Sequence, residues 1–290
     1  MPTVPSVAQA RMLRPYIGQQ TTNTMKIFEK PPPIVIKIGG AVLETPDGLE
    51  TFWRQVKVLH ETAPVVIVHG GGKQATELAH RLGHEPRIVH GRRVTTDLDL
   101  EIVQWALRGS INTGLVAQAA RHGLRAVGLS GADGGLLSVS KRPPWQIDGE
   151  AVDFGWVGEV ERVDTQVLDD LLKGGFVPIV APLGIDTEGR LYNVNADTVA
   201  HALATALTAS QLLLVTASGG VRKSIDEAGS HLPHCDKETF DHGLAAGWIA
   251  GGMRVKLHVA FEALSAGIAE VFILAPDDLL ARAYATRVVL

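Results

Sequence analysis

Short runs of β-branched and other apolar residues recur along the chain, at 34–38, 65–69, 126–129, 176–180, 212–215 and 270–274. Each has the length of one buried strand, and helix-length segments lie between them, such as 47–62, 73–82 and 165–173. Strands joined through helices run parallel, and a parallel sheet needs cover on both faces. The pattern predicts an α/β fold, a three-layer αβα sandwich around a mainly parallel sheet.

In the first run a lysine interrupts the apolar residues: Ile34-Val35-Ile36-Lys37-Ile38, followed by Gly39-Gly40. Burying an ammonium is costly unless an anion meets it. Two readings stand for Lys37: a strand-end lysine whose ammonium snorkels to water, or a cation held for a ligand. A second strand–glycine element, Val65-Val66-Ile67-Val68-His69-Gly70-Gly71-Gly72, runs into a helix, the geometry that sets an anion at a helix N-terminus. Ligands of parallel sheets bind beyond the C-terminal strand ends, where these glycines lie. Gly70 to Ala75 also satisfies G-x-G-x-x-A, with Arg92 or Arg93 about 20 residues on for a 2′-phosphate. That NADP oxidoreductase reading leaves Lys37-Ile38-Gly39-Gly40 and residues 193–197 without a role. There is no G-x-x-x-x-G-K-[ST], so a P-loop NTPase is not supported.

Asn193 and Asn195 flank a turn into an alanine-rich helix, with Asp197 in its first turn; Asn and Asp cap helices as well as bind ligands. Lys256 follows Gly251-Gly252-Met253 at another helix start, and alone reads equally as a surface lysine. A long helix is expected over 97–122, interrupted near Gly109. A small antiparallel patch is expected over 136–163, on the rim of the main sheet.

With 290 residues, 46% apolar and 20% charged, the chain fits one large α/β domain or two lobes. A net charge of -4 gives no electrostatic case for nucleic acid. No run of about 18 apolar residues marks a transmembrane helix, and the start lacks the apolar core of a secretory signal. With a single cysteine, Cys235, this points to the cytoplasm. His231, His234 and Cys235 imitate a metal site, but their spacing matches no standard pattern and Pro233 to Asp236 reads as a loop, so no metal ligands are assigned. Residues 1–33 are polar, end in Pro31-Pro32-Pro33 and read as an N-terminal extension. Val7, Ala8, Met12, Leu13, Tyr16 and Ile17 would share one face of a short helix there, and Met25 is an alternative start.

Taken in order, the motifs resemble the amino acid kinase family over about residues 34–275. The matching stretches are Val35 to Gly40, Ile67 to Gly72, Arg93-Val94-Thr95, Val127 to Gly131 with Asp133-Gly134, Gly158-Glu159-Val160, Asn193 to Asp197, and Gly251-Gly252-Met253 with Lys256. The likeness is to the branch that uses ATP with Mg²⁺ to phosphorylate the side-chain carboxylate of N-acetyl-L-glutamate in arginine biosynthesis. It implies Lys37 and Lys256 as catalytic cations on the transferring phosphoryl group, with Asp197 holding both. It implies Gly71, Gly72, Arg93 and Asn193 on the acyl amino acid. It implies Gly39, Gly40, Thr216, Ser218, Gly219, Gly252 and Met253 on ATP, and no tightly bound cofactor. A carboxylate nucleophile is already anionic, so the chemistry needs alignment and charge neutralisation rather than a general base.

The resemblance also implies a kinase domain over 34–290, with an acyl-amino-acid-binding, dimerising N-lobe at about 34–185 and an ATP-binding C-lobe at about 186–290. A homodimer follows. Residues 7–17 resemble the helix that links dimers into hexamers in arginine-inhibited members, which makes arginine an expected effector. The chain departs from the family at Thr216, where an Asp is usual, at Gly220 and Arg222, at Thr113 after Asn112, and over 287–290. Two alternatives follow: the same chemistry on an N-acyl-aminoadipate in lysine biosynthesis, or a degenerate regulatory domain that binds an amino acid without turnover.

Overall fold

The computed structural model describes residues 31–147, 149–224 and 227–290. The helix expected over residues 7–17, and Met25, lie outside the described residues.

Strand β1 (Ile34–Ile38) leads through helix α1 (Pro46–Thr62) to β2 (Val65–His69), and α2 (Gly72–Arg81) leads to a hairpin of β3 (Ile88–Val89) and β4 (Arg92–Arg93). Helix α3 (Asp97–Val103), a π-helical segment over Gln104–Ile111 and α4 (Asn112–Arg121) carry the chain to β5 (Ala126–Ser130). Strands β6 (Leu137–Lys141), β7 (Trp145–Ile147), β8 (Glu150–Val152) and β9 (Gly158–Val163) precede α5 (Gln166–Lys173) and β10 (Val177–Ala181). Then come β11 (Leu183–Ile185), β12 (Leu191–Asn193), α6 (Ala196–Ala206) and β13 (Gln211–Val215). The chain finishes with β14 (His234–Cys235), α7 (Lys237–Ala245), α8 (Gly251–Ser265), β15 (Glu270–Leu274) and β16 (Thr286–Val288).

Eight strands form one sheet in the order β14-β16-β15-β13-β1-β2-β10-β5. All its pairings are parallel except β15 with β16. Chain order reverses at β1, with β2 and β10 on one side and β13 and β15 on the other. Connections leaving β1 and β13 diverge there and open a crevice beyond the strand C-termini.

The side-chain period of two sorts the strands into two cores. Ile34, Ile36 and Ile38 of β1 pack with Phe52, Trp53 and Val56 of α1 and Leu115 of α4 on one face. Val35 packs with Val199 and Leu203 of α6 and Leu257 of α8 on the other. This is the three-layer sandwich expected from the sequence. Helix α1 forms because Leu49, Phe52, Trp53, Val56 and Leu59 recur at helical spacing behind Pro46 in its first turn.

Three local expectations are corrected. The patch at 136–163 is not on the rim of the main sheet. Strands β6 and β9 belong to a separate four-stranded sheet, β12-β11-β6-β9, because the turn at Asp186 to Gly189 folds β12 back on β11 and β11 then pairs with β6. The helix over 97–122 is not broken at Gly109, which lies inside the π-helical segment, where wider turns absorb it. Residues 234–235 form an edge strand, since β16 supplies ladder partners for both.

Candidate functional site

Position parity in β1 fixes where Lys37 points. Val35 faces α6 and α8, so Lys37, two residues on, faces the same way. Helix α6 presents Asp197 there: Asn195 caps the helix, its Oδ1 accepting the N–H groups of Asp197 at 2.9 Å and Thr198 at 3.2 Å. The Lys37 ammonium lies 2.8 Å from Asp197 Oδ1, both residues being about nineteen-twentieths buried at 5% and 6% exposure. Lys256, from the second turn of α8, lies 3.6 Å from Asp197 Oδ2 and donates to the Gly252 carbonyl at 3.5 Å. Burial by itself raises the Asp197 carboxyl, but Lys37 and then Lys256 outweigh it and hold the pKa below the ordinary carboxylate value. Burial lowers Lys256 below the ordinary lysine value; Asp197 opposes this and Lys37 adds to it. Two ammonium groups on one carboxylate leave a net positive centre at the end of the central strand. The sequence left Lys37 and Lys256 open to a surface reading, and the geometry removes that reading for Lys37.

The glycine loops meet beside this centre. Gly39 donates to Val215 and Gly70 to Ile38, each at 3.0 Å, so both loops leave the sheet in register with their neighbours. A Cβ at Gly40 would stand 3.3 Å from the Gly71 nitrogen, and one at Gly70 would stand 3.3 Å from the Gly40 nitrogen. Gly71, at φ 155, is backed by Leu107 and Ile111 of the π-helical segment, whose side chains occupy the space a Cβ would need. Gln74 ties the loops together by donating to the Gly40 carbonyl at 2.9 Å.

Beneath them His69 is buried. Desolvation drives its pKa down to about 4, with the Arg108 charge adding to this and a bond to Gly70 opposing it. Asn112 Nδ2 donates toward His69 Nε2 at 3.1 Å, which leaves Nδ1–H to donate to the Gly70 carbonyl at 2.9 Å. The imidazole is therefore neutral and positions the loop.

A cavity of about 480 Å³ opens from this point. It brings together Lys37, Gly40, Gly71, Gly72, Arg93, Asn193 and Asp197 of the expected site residues. Arg93 donates to Thr76 Oγ1 at 2.6 Å and the Gly72 carbonyl at 3.2 Å, and pairs with Asp99 at 3.4 Å. Asn193 lies in β12, its Nδ2 donating to Thr95 Oγ1 at 3.2 Å. Capping thus falls to Asn195, while Asn193 faces the cavity. Gln74 and the His69–Asn112 pair carried no motif signal, because their partners lie 34 and 43 residues away in sequence.

The other expected residues are more scattered. Thr216 is buried, its hydroxyl 3.1 Å from Ser218 Oγ and donating to the Gly219 carbonyl at 2.9 Å. Ser218 and Gly219 line a second cavity of about 680 Å³, beside Asp47 and Asp278. Gly252 and Met253 lie in the first turn of α8, next to Lys256. His231, His234 and Cys235 do not converge. Among the described residues, no three His, Cys, Asp or Glu side chains come together as a metal cage, and no helix is long and apolar enough to cross a membrane.

The sequence profile described as the amino acid kinase family matches residues 32–275. An acetylglutamate kinase of Methanopyrus kandleri is 41% identical over 246 residues, covering 85% of this chain and 96% of that protein. An acetylglutamate kinase of Anaeromyxobacter dehalogenans is 40% identical over 255 residues, covering 86% and 94%. Among solved structures, smu.665 of Streptococcus mutans superposes with a TM-score of 0.73 at 29% identity, covering 86% of this chain and 96% of that one.

Proposed function

The chain belongs to the amino acid kinase family, and we propose that it transfers the γ-phosphoryl group of ATP to the side-chain carboxylate of N-acetyl-L-glutamate, a step of arginine biosynthesis. The observation that carries this reading is the Lys37–Asp197–Lys256 cluster, of which Lys37 and Asp197 line the 480 Å³ cavity. A carboxylate oxygen attacks the γ-phosphorus in line while the bond to the bridging oxygen breaks and ADP leaves. Negative charge spreads over the transferring oxygens, and Lys37 and Lys256 stabilise it, with Asp197 fixing both ammonium groups beforehand. Gly39 and Gly40 offer N–H groups to the phosphates. Gly71 and Gly72 hold the acceptor, Arg93 and Asn193 take its α-carboxylate, and Thr216, Ser218, Gly219, Gly252 and Met253 serve the nucleotide.

The donor set beside Asp197 is ammonium and N–H, which suits phosphate oxygens rather than a bare metal, so Mg²⁺ would be held by the ATP phosphates. When bound, Mg²⁺ supplies further neutralisation of phosphate charge.

The proposal extends to a division of labour, with residues at about 34–185 serving chiefly the acceptor and about 186–290 chiefly ATP, Gly39, Gly40 and Asn193 being the residues that cross this division, and to a cytoplasmic homo-oligomer. Exposed Leu98 and Trp105 on the α3 and π-helical face support pairing of the acceptor halves. Arginine as effector and a hexamer both belong to residues 7–17. Removing residues 1–24 should lower the mass read by light scattering, and an unchanged mass overturns the hexamer.

The central test supplies the purified protein with ATP, Mg²⁺ and N-acetyl-L-glutamate and traps the acyl phosphate with hydroxylamine. Hydroxamate formation is expected. Ligand binding without hydroxamate would establish the regulatory reading that Thr216 motivates.

A further inference from the structure

The acceptor cavity carries more positive charge than the reaction above uses. N-Acetyl-L-glutamate has two carboxylates: the reacting one belongs beside Lys37 and the other on Arg93 and Asn193. Yet Arg92 and Arg142 line the same cavity without a role. Both guanidinium groups lie over the Trp145 ring, 4.5 and 4.8 Å from its centroid, so one indole holds two cations in place. They share a single carboxylate: Arg142 Nε donates to Glu159 Oε1 at 3.2 Å, and Glu159 is also the anion that acts on Arg92. Among the described residues, no hydrogen bond or ion pair takes up the N–H groups of Arg92. Arg93 differs, since Asp99, Thr76 and the Gly72 carbonyl already engage it. Two guanidinium groups against one carboxylate leave a net positive charge facing the cavity, which an anionic ligand would compensate.

In the same cavity, Ile88, Phe154 and Val157 supply apolar wall. A volume of about 480 Å³ falls within the range, roughly 300–1,000 Å³, that takes ligands well beyond an acetylated amino acid. An acyl chain laid on the apolar wall and ending in an anion would meet both features.

We propose that Arg92 and Arg142 form a third anion subsite, and that the preferred acceptor is an N-acyl-L-glutamate whose acyl chain itself ends in a carboxylate, such as N-succinyl-L-glutamate. The inference rests on the reading of this cavity as the acceptor site. The transfer step is unchanged: a side-chain carboxylate oxygen of the glutamate bonds to the γ-phosphorus, the bond from that phosphorus to the β,γ-bridging oxygen breaks, and ADP leaves with the electron pair. No proton moves, and the acyl carboxylate does not react.

The test compares N-succinyl-, N-acetyl- and N-butyryl-L-glutamate as acceptors with the full chain, ATP and Mg²⁺, reading hydroxamate. The butyryl compound matches the length of the succinyl chain without its charge. Wild type should use the succinyl acceptor with kcat/KM about tenfold or more above either of the others, the scale of one charge-assisted bond. Arg92→Gln should cut the succinyl-to-acetyl ratio by a similar factor, and Arg92→Lys should restore part of it. An acetyl acceptor used as well as the succinyl one, or a butyryl acceptor equal to it, overturns the inference and leaves the kinase reading standing. A ratio unmoved by Arg92→Gln does the same. No hydroxamate from any acceptor overturns the kinase reading itself, and this inference with it.

Discussion

Two loops leave neighbouring strands of the same sheet, yet they are held in different ways. The loop at Gly70 to Gly72 is pinned from outside: Ile38 and His69 below it, Leu107 and Ile111 behind Gly71, and Gln74 tying in the loop from β1. The loop at Thr216 to Gly220 adds bonds of its own to its outside contacts. The Thr216 hydroxyl bonds within the loop, to Ser218 and Gly219, while the Thr216 N–H meets the Leu274 carbonyl, the Val221 N–H meets Thr286 Oγ1, and Tyr284, His231 and Thr286 occupy the space a Cβ on Gly220 would need. A side chain that bonds only within its own turn tolerates more residue types than a position crowded by remote groups. Thr216 is of the first kind and Gly71 of the second.

Four experiments bear on this contrast. Lys37, between the two loops, should show the largest effect: Lys37→Ala is expected to lower kcat by about 10²–10³-fold, as for loss of one stabilising group on a developing charge. If instead only the acceptor KM rises, Lys37 belongs to the first loop alone and the shared centre is wrong.

Next comes pH. The folded pKa of His69 is depressed from 6.5 to about 4, so the folded state binds fewer protons than the unfolded state between those values. Stability is full above pH 6.5 and falls by roughly 3 kcal/mol as pH drops through that window. His69→Gln should flatten this limb in thermal melts taken across it, and an unchanged limb would show that other groups carry it.

Gly71→Ala adds a Cβ against Leu107 and Ile111 at a positive φ, and should cost about 1–3 kcal/mol of stability while raising the acceptor KM. A variant with wild-type melting and acceptor KM would mean that this loop is as adaptable as the other. Smallest of all, Thr216→Asp, which installs the usual family residue, should change the ATP KM by less than about tenfold. A larger change would make the second loop the more demanding of the two.

Much of this was legible in the residues. Runs of branched apolar residues gave the strands and their parallel order, since such runs need cover on both faces. Lys37 and Asp197 stood out through their glycine and asparagine neighbours, and the cavity brings them together with Arg93 and Asn193. What stayed hidden depends on remote partners. Nothing near Asn112 signals that it supports His69, and although Arg142 lies three residues from Trp145, nothing there signals that Arg92 joins it over the same ring. The π-helical turns were read as an interruption at Gly109, because composition marks a break in α-periodicity without telling a stop from a wider turn. The strands of the β11–β12 hairpin are only three residues each, and β11 follows β10 after the single residue Pro182, so they do not stand out as separate strands; the pairing of β11 with β6 joins segments far apart in sequence.

The double ladder of β1 has a mechanical consequence. All five of its residues are paired on both sides, with β2 on one side and β13 on the other. Parting the halves at β1 would tear one of these ladders, so any swing of one half against the other has to be taken up as twist and bending of the unbroken sheet. The short hairpins β3–β4 and β7–β8, with few ladder bonds each, are the compliant pieces. They carry Arg92 and Trp145, so the compliant pieces lie at the wall of the 480 Å³ cavity while its floor belongs to the paired central strand.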